Sequence, residues 1–272
     1  MGSKKSSKKS SKMNFNLAVF FIGLITVFLS PLAMAINVMP FSGELDLTKT
    51  PNYKIQVGNK SNTEAAVKIS VQKWAFDLDG VEVREPTNDL IVFPKRLLLK
   101  PKDDRSVRVS YRNGVPPRNE ASYRIIVEEI PLAKKKNQVR GKGASINVLT
   151  RYVTAFYVKP RNALSDVKFV ESSSFENGFQ LKIRNEGNAH THFISPSMKI
   201  KQGGETLIIT DLELLKPFTN TNLFALSDRV YDWVVPESLR GTLKFDQSYK
   251  VTLDWVCENC SSKTEQITFW VE

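Results

Sequence analysis

From Ile36 onward the chain is written in short alternating runs of apolar and polar residues, each stopped by Asn, Gly, Pro or Asp. Successive side chains of a strand point to opposite faces, so alternation at period two marks a half-buried strand. Tyr53, Ile55 and Val57 alternate up to Gly58-Asn59. Val67, Ile69 and Val71 follow within 65–75, and Asp79-Gly80 supplies a tight turn. Leu90–Phe93 stops at Pro94, and Ser106–Tyr111 and Tyr123–Val127 alternate again. No long segment carries a 3.6-residue period. Many short strands at regular spacing predict an antiparallel β-sandwich.

At 272 residues the chain has room for one large or two ordinary domains, and its composition is that of a globular protein. A long strand, Ile146 to Val158, ends at Lys159-Pro160-Arg161-Asn162, and that Pro-bearing segment is the expected boundary. Beyond it the same style resumes, with candidate strands at 179–183, 193–195, 197–201, 206–210, 242–245, 248–255 and 266–271. Phe224–Pro236 reads as an irregular link. The expectation is all-β: two immunoglobulin-like sandwiches, 36–160 and 161–272.

Residues 13–35 hold an apolar run, Leu17–Leu29, followed by Ser30-Pro31 and Ala33-Met34-Ala35. The run is short for a bilayer span, and Ala-x-Ala is a cleavage signature, so 1–35 reads as a basic extension plus a secretory signal peptide cut after Ala35. The Lys/Ser stretch 1–12 is an extended positive flank, an upstream start or a cloning remnant. It carries five lysines, so the formal charge of +11 falls to +6 for the mature chain. Five further cations, Lys134, Lys135, Lys136, Arg140 and Lys142, crowd one glycine-containing segment. Positive charge thus marks a segment and gives nucleic-acid binding little support.

The stretch Asn119–Leu132, NEASYRIIVEEIPL, resembles the signature of the pilus-assembly chaperones of the chaperone–usher pathway. There a Glu, an aromatic strand and a closing Glu-Ile-Pro recur in order. Asp89–Pro94, Leu99-Lys100-Pro101, Arg105–Val109 and Ala155–Pro160 follow that family's first domain in order and spacing. The resemblance implies two Ig-like domains in an L-shaped arrangement with a cleft between them, a periplasmic location, and capture of pilus or fimbrial subunits for delivery to an outer-membrane usher. A subunit of this kind lacks its last strand and exposes strand edges and a groove. The chaperone lends it a strand, which pairs its backbone and plugs alternate side chains into the groove.

The expected donor segment follows the basic loop, with Ile146, Val148, Thr150 and Tyr152 on one face and Ile146 and Val148 as the leading plugs. The family also anchors the subunit's terminal carboxylate with two basic side chains in the cleft. Here the first strand, Ile36–Leu47, has no basic residue, and the usual last-strand position is Ala155. Arg151, four residues earlier, and Arg124, on the strand expected alongside, are the proposed substitutes. Self-association of the empty protein is a further expectation for an apolar donor strand.

Cys257 and Cys260 are the only cysteines, and in an oxidising compartment the pair reads as a structural disulfide stapling a hairpin. A thiol redox motif would want a helix N-terminus in a βαβ unit, and a zinc site two more ligands. His190-x-His192 reads as a polar loop rather than a metal pair. No catalytic constellation, cofactor motif or metal cluster stands out, so an enzyme is not expected. The competing readings are a secreted Ig-like structural or adhesive fibre component and a thiol oxidoreductase acting through Cys257.

Overall fold

The computed structural model describes residues 36–77, 80–132, 148–219, 221–242, 247–257, 259–260 and 264–271. The expected signal peptide, most of the basic loop and Ile146 lie outside these residues. Ten strands make the first sandwich: β1 (Ile36–Met39), β2 (Ser42–Leu45), β3 (Asn52–Asn59), β4 (Ala65–Phe76), β5 (Glu82–Pro86), β6 (Leu90–Phe93), β7 (Arg96–Leu99), β8 (Asp104–Tyr111), β9 (Ala121–Ile130) and β10 (Arg151–Val158). One sheet runs β1-β3-β8-β6. The other runs β2-β10-β9-β4-β5, with β7 also pairing β4.

The alternation seen in sequence is the inward face. Ile55 and Val57, Val67 and Ile69, Val107 and Val109, Tyr123, Ile125 and Val127, and Phe156 and Val158 are all buried in one core. Each such side chain contributes about 1.5–3 kcal/mol relative to exposure. One expectation is corrected: Ile36–Leu47 is two strands. Buried positions run Ile36 and Val38, then Gly43 and Leu45, so the parity flips around Pro40 and Phe41. The chain thereby leaves the first sheet and enters the second, where β2 lies parallel to β10.

The second set of strands is β11 (Val167–Phe175), β12 (Gly178–Asn185), β13 (Thr191–His192), β14 (Ile194–Gln202), β15 (Glu205–Ile209), β16 (Asn222–Leu223), β17 (Ser227–Val234), β18 (Tyr249–Val256) and β19 (Thr264–Val271). Sheets β11-β12-β17 and β15-β14-β18-β19 enclose a core dominated by Trp233, Trp255, Tyr249, Phe179 and Phe218. The supposed link at 224–236 contains β17, which pairs with β12 along its whole length. Its charged start, Asp228-Arg229, hid the alternation of Tyr231, Trp233 and Val235. Asp228 is there to meet Arg184 across the pair, at 2.5 Å. Cys257 and Cys260 are bridged.

Candidate functional site: an open strand edge beside the inter-domain cleft

β10 pairs with β9 in antiparallel register, Arg151 opposite Glu128 through Val158 opposite Ala121. The Glu129 amide donates to the Thr150 carbonyl at 2.9 Å, which marks 150/129 as a hydrogen-bonded pair. Such pairs alternate along an antiparallel ladder, so residues 152, 154, 156 and 158 also turn their backbone groups to β9. Arg151, Val153, Ala155 and Tyr157 turn theirs the other way. On that side β2 covers only Ala155–Val158, beginning where the Ala155 amide reaches the Phe41 carbonyl at 3.2 Å. Among the described residues no strand covers Arg151 or Val153. The edge is open.

The side chains sort by the same parity. Thr154, Phe156 and Val158 are buried in the first core, while Val153 is exposed and Val148 and Leu149, just before the strand, are 80% and 50% exposed. Exposed Met39 and Phe41 flank the edge from the β1–β2 corner. Of the sequence-predicted plugs, Ile146 is not described, Val148 projects into solvent and Thr150 is half-buried. The Thr150 amide is held by the Glu129 carboxylate at 3.3 Å. Tyr152 is tied inward: its hydroxyl donates to the Ile36 carbonyl, and its ring lies 6.1 Å from that of Phe41.

The two arginines are not brought together. Arg124 stands opposite Ala155, and Arg151 lies four residues further along β10, about 13 Å at strand rise. Arg151 is exposed. Arg124 is engaged: its guanidinium forks onto Glu82 at 2.9 and 2.7 Å and sits 3.4 Å over the Trp74 ring. That bidentate pair is the main reason the Glu82 carboxyl drops from its ordinary 4.5 to about 2, with Arg84 assisting against partial desolvation.

Below Ala155 the two sandwiches meet. Trp74, Tyr157 and Phe224 form a small shared core, with Phe76 stacked on Phe224 at 5.4 Å. The His190 ring stacks on Tyr157 at 3.9 Å, and its Nδ1 lies 2.5 Å from Glu120 Oε1. The same carboxylate oxygen accepts the His190 amide at 3.1 Å, and the Glu120 amide donates to the Asn188 carbonyl at 2.8 Å. This pair is almost fully buried, so His190, though in the loop between β12 and β13, is a junction residue and not a solvent-facing one. Neither residue carries a sequence signal for the contact, because 70 positions separate them. A cleft of about 470 Å³ opens alongside, lined by Glu44, Tyr53, Ala155, Tyr157, His192 and Asn222 among others. Burial holds the Tyr157 hydroxyl well above its ordinary pKa, so it stays protonated, and it accepts a bond from Asn222 at 3.2 Å.

Residues 47–163 match the family described as pili and flagellar-assembly chaperone, PapD N-terminal domain. That segment carries the N-terminal domain of the PapD-like chaperones. Comparison with curated proteins finds no match. Among solved structures, this chain is similar to one described as a chaperone–tip adhesin complex of CFA/I fimbriae biogenesis. The TM-score is 0.56 and the identity 16%, over 86% of this chain and 98% of that one. The class 5 fimbriae chaperone CfaA gives 0.54 at 15% identity, over 87% and 99%. A Salmonella enterica complex of SafA pilin with the SafB chaperone gives 0.52 at 11%, over 88% and 98%. At these identities the likeness is one of fold, and it extends across both sandwiches. The family is one of chaperones and not of enzymes.

Proposed function

We propose that this protein is a periplasmic chaperone that captures pilus or fimbrial subunits by lending them the open edge of β10, then delivers them to an outer-membrane usher. The observation that carries the reading is the bare run of main chain at Arg151 and Val153, continued upstream by exposed Leu149 and Val148. An uncovered edge bordered by apolar side chains is an aggregation hazard in an ordinary sandwich. It is an asset where the missing neighbour is a client's strand. The solved relatives described as complexes hold a tip adhesin and the SafA pilin, clients of the kind such an edge fits.

On this reading Ile146, Val148 and Thr150 plug the client's groove, and Tyr152 closes the series because its hydroxyl is committed to Ile36. The client's terminal carboxylate meets Arg151, which is exposed at the edge, with Arg124 as second cation if it trades Glu82 for the incoming group. The empty protein offers the same edge to a second copy of itself. The signal peptide ending at Ala35 takes the chain to the periplasm, where the donor strand meets unfinished subunits. Ala35 and Ile36 adjoin, so cleavage there frees the chain at the start of β1.

The test is co-purification from the periplasm with candidate subunits, wild type against Ile146→Asp/Val148→Asp. The folded double variant should lose its subunit. Equal recovery would refute the donor-strand reading.

A further inference from the structure

The bridged cysteines hold a residue that reaches out of its own hairpin. Asn259, between Cys257 and Cys260, uses three groups on three partners. Its carbonyl accepts the Ser165 amide at 2.6 Å and the Ser165 hydroxyl at 3.2 Å, both on the segment joining the two sandwiches. Its Nδ2 donates to the His190 carbonyl at 3.2 Å, and its Oδ1 accepts from Lys159 Nζ at 3.4 Å. Lys159 directly follows β10: its amide is held by the Leu45 carbonyl, and its ammonium pairs with Glu44 at 2.9 Å. His190 is the residue whose ring and amide both grip Glu120.

We infer that Asn259 is a positioning residue for the subunit-binding cleft. It docks the second sandwich on the first, with the disulfide holding it at the correct height. The sulfurs are themselves seated: Cys257 Sγ lies 3.2 Å from the Thr191 hydroxyl, and Cys260 Sγ lies 2.9 Å from the Ser165 hydroxyl. The bridge therefore stands on the joining segment and on β13, the two pieces of chain that flank His190. Within the second sandwich the amide is fixed by His190, and this turns its Oδ1 to Lys159, the contact that reaches the first sandwich. Ala155 and Tyr157, on the β10 side of the cleft, and His190 and His192, on the other, keep their spacing only while this docking holds. The bearing on client capture rests on the chaperone reading above. The docking does not, so it is tested on the free protein.

Amide hydrogen exchange, followed by NMR, reads the docking directly. The Glu120 amide is protected by Asn188 and the His190 amide by Glu120, both across the domain junction. The Val127 and Leu253 amides, deep in the two sandwiches, are the controls. In Asn259→Ala, exchange at Glu120 and His190 should quicken about tenfold or more, with the controls unchanged. Wild-type exchange at Glu120 would overturn the proposal, leaving Asn259 a purely local loop residue. Should Asn259→Ala also speed the controls, Lys159→Met decides. It leaves Asn259 and its bond to His190 in place and removes the ammonium that joins Asn259 to the first sandwich. Selective quickening at Glu120 and His190 then supports the docking role, and unchanged or indiscriminate exchange overturns it.

Discussion

Replacing Val153 by proline separates the edge's service to a client from its service to its own sheet. The Val153 amide points away from β9, because the hydrogen-bonded pairs of that ladder fall on residues 150, 152 and 154. In the free protein the substitution removes no sheet bond. Proline is tolerated on strand edges whose N–H faces solvent, so stability should move by about 1 kcal/mol or less. With a client strand seated, the same proline leaves one client carbonyl buried without its donor, at about 1–3 kcal/mol. At 1.4 kcal/mol per factor of ten, affinity falls roughly 5- to 150-fold. Thr154→Pro is the inverse control. Its amide faces Ile125, whose carbonyl also takes the Thr154 hydroxyl at 3.1 Å, so the cost appears in folding. The assay is a urea melt of each variant alongside titration with a co-expressed subunit. Val153→Pro binding its subunit as tightly as wild type would refute the assignment of β10 as donor.

Glu82 is held near pKa 2 in the fold against an ordinary 4.5, so its ionised form favours folding above about pH 4.5, and that contribution is lost as pH falls towards 2. Allowing for solvent screening of a partly exposed pair, about 1–2 kcal/mol should disappear over that window. Glu82→Gln should flatten it, as urea melts at pH 7 and pH 3 would register. Gly187→Ala would place its Cβ 2.3 Å from the Leu164 carbonyl oxygen and 2.5 Å from Ser165 Cα, so the joining segment must shift. A loss of about 1–3 kcal/mol in thermal or chemical unfolding is expected. Opening the Cys257–Cys260 bridge with Cys257→Ser/Cys260→Ser frees a very short loop, and chain entropy puts the cost at about 2 kcal/mol by equilibrium denaturation. A thiol oxidoreductase would instead lose a measurable exchange activity in the single Cys257→Ser variant.

The strands that could be read from sequence are those with one dry and one wet face. Tyr53-x-Ile55-x-Val57 and the run through Val67 and Ile69 declare themselves. β5 does not, because Glu82–Pro86 lies almost wholly in solvent and has no dry face to betray it. β11 hides for the same reason behind Ser172-Ser173-Ser174. The split of the first strand was legible in principle, as a shift of the apolar positions from even to odd numbers around Pro40. At the site, β10 could be named from its family context and apolar spacing, but alternation cannot say which edge is left bare. That depends on β2 beginning only at Ser42, opposite Ala155, a fact of three-dimensional register. Arg124 looked available because Glu82, which occupies it, is 42 residues away. His190 looked incidental for want of Glu120.

The parallel union of β2 with β10 sets Ser42 against Ala155, Gly43 against Phe156 and Leu45 against Val158, so the opening of the first sandwich is zipped to a stretch more than a hundred residues later. Contacts of such long span raise contact order and slow folding. The first sandwich cannot shut until β10 is in place, and until then β2 waits without the neighbour its register requires. On the chaperone reading proposed above, a protein that shelters unfinished sheets begins its own existence as one.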